Sequence, residues 1–117
     1  MPRTPSGKML LVLAWANACL HIAGLVFAYF GMRPGTPLAP LTERMDYLAQ
    51  SPPGWTLGWV CWMACAVFFI LFVAVAVNQL GPNADLARFG LMIAVAGAAF
   101  DLFCDSVFII VLPMVAS

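Results

Sequence analysis

Asp101 and Asp105 stand four residues apart inside the apolar run of residues 89–112. Carboxylates within a membrane-spanning helix bind a cation, relay a proton, or supply the counter-charge for a ligand or partner. Their cost makes them informative. An Asp at the centre of such a helix costs roughly 2.5–3.5 kcal/mol, whereas each Leu, Ile, Phe or Val returns about 0.3–0.6. Residues 89–112 hold thirteen of these apolar side chains, together worth about 6 kcal/mol, which the two acids nearly cancel. The helix alone is marginal, so both carboxylates are expected to meet partners or water.

A spacing of four places Asp101 and Asp105 on one helical face. Following that face back leads through Gly97 and Ala98 to Ala94 and Gly90. Small residues in this pattern let helices approach closely, so the acids are expected to extend a packing seam. Two roles fit: hydrogen-bonded polar groups joining helices, or a site for ion, proton or ligand.

His21 is the single histidine, and Asn17 lies one turn before it in the apolar run of residues 9–30. Such a histidine is either a hydrogen-bonded packing residue or a ligand, since neutral imidazole suits metals and haem-like groups. Counted from the starts of their runs, His21 and Asp101 each lie twelve residues in, about 18 Å deep at 1.5 Å per residue. If the first and third helices touch, His21 offers Asp101 a partner at its own depth, with Asp105 and Asn17 flanking the pair.

Trp55, Trp59 and Trp62 recur at i, i+4 and i+7. Trp at the entry of a span is an interfacial anchor, which suits Trp55. Trp62 lies about 10 Å further along the helix, at a depth where it packs against a helix or the ring of a lipid, quinone or pigment. Cys19, Cys61, Cys65 and Cys104 all fall in apolar runs and read as small buried hydrophobes. No zinc-type spacing joins them, and no metal site is expected.

These residues need three helices to hold them. Of 117 residues, 64% are hydrophobic and 9% charged, values that belong to a membrane protein. Five basic and five acidic residues balance, so no nucleic-acid partner is expected. Residues 9–30 and 55–77 carry no charge, and residues 87–113 form the third span; each is long enough to cross a bilayer. Residues 16–18 resemble a signal-peptide cleavage site, but apolar character continues for twelve residues beyond Ala18, so the first run is expected to be a retained helix. Between the first two spans, Pro34, Pro37, Pro40, Pro52 and Pro53 break a long connection. Within it, residues 41–50 are expected to form a short amphipathic helix on the membrane surface, with Leu41, Met45 and Leu48 towards the acyl chains. Gly81 and Pro82 stop the second span, and the short turn after it makes spans two and three antiparallel neighbours.

The expectation is an all-α integral membrane protein, one membrane unit over residues 1–117, with three transmembrane helices and a short interfacial amphipathic helix. Arg3, Lys8 and Arg88 outnumber Arg33 and Arg44, which places the N-terminus inside and the C-terminus outside, in a bacterial inner (cytoplasmic) membrane. The chain stops four residues after Pro113 without a basic anchor, which suits an end held by a partner or a half of a longer ancestor. No nucleophile–base set or phosphate loop is present, so an enzyme is the least favoured class, and no cofactor is specified. The leading expectation is a structural or accessory subunit of a larger membrane assembly, with the lipid bilayer and other membrane subunits, homo- or hetero-oligomeric, as partners. One alternative is a small homo-oligomeric transporter or channel using Asp101 and Asp105 for proton or cation binding. The other is a lipid, quinone or pigment binder along the Trp stripe.

Overall fold

A computed structural model describes residues 5–80 and 85–117. The described residues are helical without strands: α1 (Pro5–Phe27), α2 (Leu41–Ala49), α3 (Pro53–Gln79) and α4 (Asp85–Ala116). Between α1 and α2 the chain continues as a π-helical turn, Ala28–Met32, and a 3-10 turn, Arg33–Gly35. Three stretches, Gly7–Gly35, Pro53–Gln79 and Asp85–Ala116, are long and apolar enough to cross a membrane. Their composition supplies the reason, because a helix satisfies every backbone group internally where water is absent.

α3 and α4 outrun their expected spans at both ends, whereas α1 starts before its run of residues 9–30 and gives way to the π turn at Ala28. α1 is described from Pro5, four residues before its apolar run. α4 continues through Pro113 to Ala116, although the proline lacks an N–H; the backbone N–H of Ser117 donates to the Pro113 carbonyl at 3.1 Å. The expected stop at Gly81 and Pro82 lies outside the described residues.

α3 is the central helix. α1 packs along one side of it and α4 along the other, while α2 folds back onto the end of α4. The result is a flat, elongated layer, 57 × 28 × 19 Å. The best-buried apolar cluster lies at the α2 end, where Met32, Leu48 and Trp55 meet, with Tyr47, Trp59, Leu112 and Ala116 around them.

This cluster changes two expected orientations. Leu48 is buried in protein contacts, lying beside Gly35, instead of facing outward with Leu41. Trp55 is 2% exposed and donates its indole N–H to the Phe108 carbonyl at 3.1 Å, so it is a core residue of the bundle end and not a free anchor. The cause is α2, which closes over the start of α3 and supplies the apolar surface that Trp55 needs. Two close backbone approaches make the closure possible. A Cβ on Gly31 would stand 3.1 Å from the Gly54 carbonyl oxygen, and one on Gly35 would stand 2.7 Å from the Trp55 ring. The Tyr47 hydroxyl also donates to the Gly31 carbonyl, tying α2 to the π turn.

Candidate functional site

The α1–α3 seam is built first. Gly24 brings the α1 backbone against the Trp62 ring and the Cys65 sulfur; a Cβ there would stand 3.2 Å from Trp62 Cε3. One turn and more towards the N-terminus, the Asn17 side-chain amide donates to the Leu13 and Phe68 carbonyls, each at 3.0 Å. The Cys61 thiol donates to the Leu20 carbonyl at 3.6 Å. Asn17 therefore clasps α1 to α3, and its amide nitrogen is fully used in that seam. His21, one turn later, places Nδ1 at 2.8 Å from the Asn17 carbonyl and leaves the rest of its ring exposed.

Across α3 the α4 seam differs in chemistry. Trp59 stacks on Phe108 with ring centroids 5.0 Å apart and meets Trp55 edge-on at 5.5 Å. One turn before Phe108 sits Asp105, 3% exposed. Its Oδ2 is buried without a hydrogen-bond partner, and so are Trp59 Nε1 and Asn17 Oδ1. An orphaned buried polar group costs about 1–3 kcal/mol, so these atoms mark places where the isolated chain is unsatisfied.

Between the seams runs a groove. A cavity of about 170 Å³ is bordered by His21 from α1, Asp101 from α4, and Trp62, Cys65, Ala66 and Phe69 from α3. A second cavity of about 380 Å³ shares Ala66, Phe69 and Asp101 with it and is also lined by Ala94, Gly97 and Ala98. His21 and Asp101 thus reach one space from opposite sides, although α1 and α4 do not pack directly to any extent. They make no ion pair; among the described residues the one within reach is Arg88 with Asp85, at 3.7 Å. The expected pairing of His21 with Asp101 is not formed, because the width of α3 separates the two helices.

The other sequence candidates divide in the same way. Asp101 opens to the groove whereas Asp105 is buried, one residue type in two environments. Of the seam, Ala94, Gly97 and Ala98 border the groove, and Gly90 and Gly97 would have nothing within 4 Å of an added Cβ. Among the described residues neither glycine is in close contact with another helix. The Trp stripe also splits, with Trp55 and Trp59 engaged at the α2 end and Trp62, 37% exposed, on the groove floor. Two contributors were not singled out from sequence: Phe69 on the groove floor and Phe108 beneath Trp59. Only the spacing of Phe69 from Trp62, seven residues, hinted at a shared face. No group of three or more His, Cys, Asp or Glu side chains among the described residues could hold a metal ion.

Compared with protein-family models, curated proteins and solved structures, the chain has no match.

Proposed function

We propose that this chain is an integral membrane subunit whose His21–Asp101 groove is covered by a helix from another membrane chain in a larger assembly. α1, α3 and α4 cross the bilayer, with the N-terminus inside and the C-terminus outside, and α2 lies at the outer interface. The observation that carries this reading is Asp101 standing open in the groove, halfway along α4. Sixteen residues from the start of α4 correspond to about 24 Å of helix. A carboxylate left towards acyl chains at that depth carries an insertion cost of roughly 3 kcal/mol. A covering helix with polar or small groups removes that exposure. The uncovered glycines, Gly90 and Gly97, supply the close-approach surface beside it.

The test is the native mass of the protein extracted from its own membrane in mild detergent. The expected mass exceeds that of one 12.6 kDa chain, and Gly97→Leu, which fills the contact surface, returns the single chain. A single chain in both samples defeats the reading.

A second reading, a proton or cation path in a homo-oligomer, is favoured by a separate observation. His21 and Asp101 share a cavity without pairing, so both remain available to a mobile ion. It predicts ion flux in vesicles holding the purified protein alone, abolished by Asp101→Asn; no flux from the wild type rejects it.

A further inference from the structure

A further cavity bordered by α1 lies away from the groove, with none of its lining residues in common with it. It measures about 500 Å³ and is lined by Leu25, Ala28, Tyr29, Arg33, Thr36 and Leu38. Its lining is divided in character. Leu25, Ala28 and Leu38 give an apolar trough, and Arg33 stands at its polar end. The Arg33 guanidinium lies over the Tyr29 ring, 5.1 Å from the centroid, within cation–π distance. Among the described residues no carboxylate lies within ion-pair distance of it. Thr36 is spoken for, since its hydroxyl donates to the Arg33 carbonyl at 2.7 Å. Arg33 therefore supplies the cavity's free charge-bearing donors.

The backbone explains why this cavity exists. At Ala28 the α-helix gives way to a π turn and then to a 3-10 turn, and Tyr29 within the π turn is exposed. π turns of this kind recur at functional sites. The change comes where the apolar run ends, the level at which a spanning helix meets lipid headgroups.

We infer that this cavity binds an anionic phospholipid, its phosphate on Arg33 and its acyl chain along Leu25, Ala28 and Leu38. The inference rests on the membrane-spanning reading of the chain. A guanidinium presents a planar fork that matches two phosphate oxygens. An inorganic phosphate would use that fork and leave the apolar trough empty, whereas a neutral lipid would use the trough and leave the fork unpaired. An anionic lipid satisfies both. Glu43 borders a neighbouring cavity that shares Arg33 and Leu38 with this one, but it is not in the lining of this one.

The experiment is native mass spectrometry of the full chain in detergent with equal amounts of phosphatidylglycerol and phosphatidylcholine of matched chains. The expected result is preferential retention of phosphatidylglycerol. Arg33→Gln lowers that preference about tenfold, the loss expected for one charge-assisted contact. Arg44→Gln removes the same charge from α2 and leaves the preference unchanged. Leu38→Gln, at an exposed position, reduces retention of both lipids while keeping the preference. Circular dichroism of each variant confirms helix content. Equal loss in Arg33→Gln and Arg44→Gln, no loss in Arg33→Gln, or displacement of the lipid by excess inorganic phosphate overturns the site. Vesicle flotation separates the two readings: a chain that floats with vesicles but shows no preference overturns the lipid site alone, and a chain that does not float overturns the membrane reading.

Discussion

His21 and Asp101 border one cavity although the helices that carry them pack on α3 and not to any extent on each other. The space between them is floored by Trp62, Cys65, Ala66 and Phe69. Two ionisable groups thus face a groove that is open in the isolated chain, while Asp105 and Asn17, their nearest polar neighbours in sequence, are used in helix–helix seams. This open groove is the surface that the proposed partner helix would cover.

The α2 closure depends on Tyr47, whose hydroxyl donates to the Gly31 carbonyl. Tyr47→Phe leaves that carbonyl without the phenol and lowers stability by about 1 kcal/mol, measured by thermal unfolding in detergent. Burial raises the Tyr47 hydroxyl above its ordinary 10.0. A raised value means the neutral phenol is favoured in the fold, so its contribution is complete below pH 10 and is lost as pH rises past the folded value. The wild type loses stability in that alkaline range, and Tyr47→Phe shows a smaller loss. Identical alkaline profiles would show that Tyr47 does not hold α2 down.

Two glycines separate a filled site from an open one. A Cβ on Gly35 would stand 2.7 Å and 2.9 Å from Trp55 ring atoms, with Leu48 at 3.2 Å behind it. Gly35→Ala therefore costs about 1–3 kcal/mol through overpacking. A Cβ on Gly90 would meet nothing within 4 Å among the described residues, and Gly90→Ala in the isolated chain gains up to about 1 kcal/mol of helix propensity. Unfolding midpoints of the two variants should move in opposite directions, and a destabilised Gly90→Ala chain would place an unseen contact on that face.

Asp105 carries a buried oxygen with no partner. Asp105→Asn removes the possibility of an unpaired buried charge and keeps the shape, so the purified chain is expected to match or exceed wild-type stability, by up to about 3 kcal/mol. A loss of that size would mean that a cationic or hydrogen-bonding group outside the described residues pairs with Asp105.

Much of the frame was legible before the structure. Three apolar runs of spanning length and a proline-bounded segment sufficed for the three long helices and for α2, because hydrophobic length and proline act locally. The order of packing was not legible. α1 and α3 are apolar all round, so no stripe tells which helix lies in the middle. That is why His21 and Asp101 emerge at one cavity but across the breadth of α3. The burial of Trp55 and Leu48 was hidden for a related reason: it depends on α2 folding back, through glycines 31, 35 and 54, a contact between segments distant in sequence. Equal spacing put Asp101 and Asp105 on one face, but a face spans enough arc for one acid to border the groove while the other enters the seam.

The proposed covering of the groove is tested most directly by photo-crosslinking in native membranes, with a photoreactive amino acid at position 97 or at position 103. Gly97 borders the groove, and Phe103, 66% exposed, lies about 120° away around the helix. The account predicts a discrete crosslinked product from position 97, of mass equal to this chain plus one partner or a second copy, and none from position 103. Lipid adducts alone at both positions, or equal protein crosslinking from both, would contradict it.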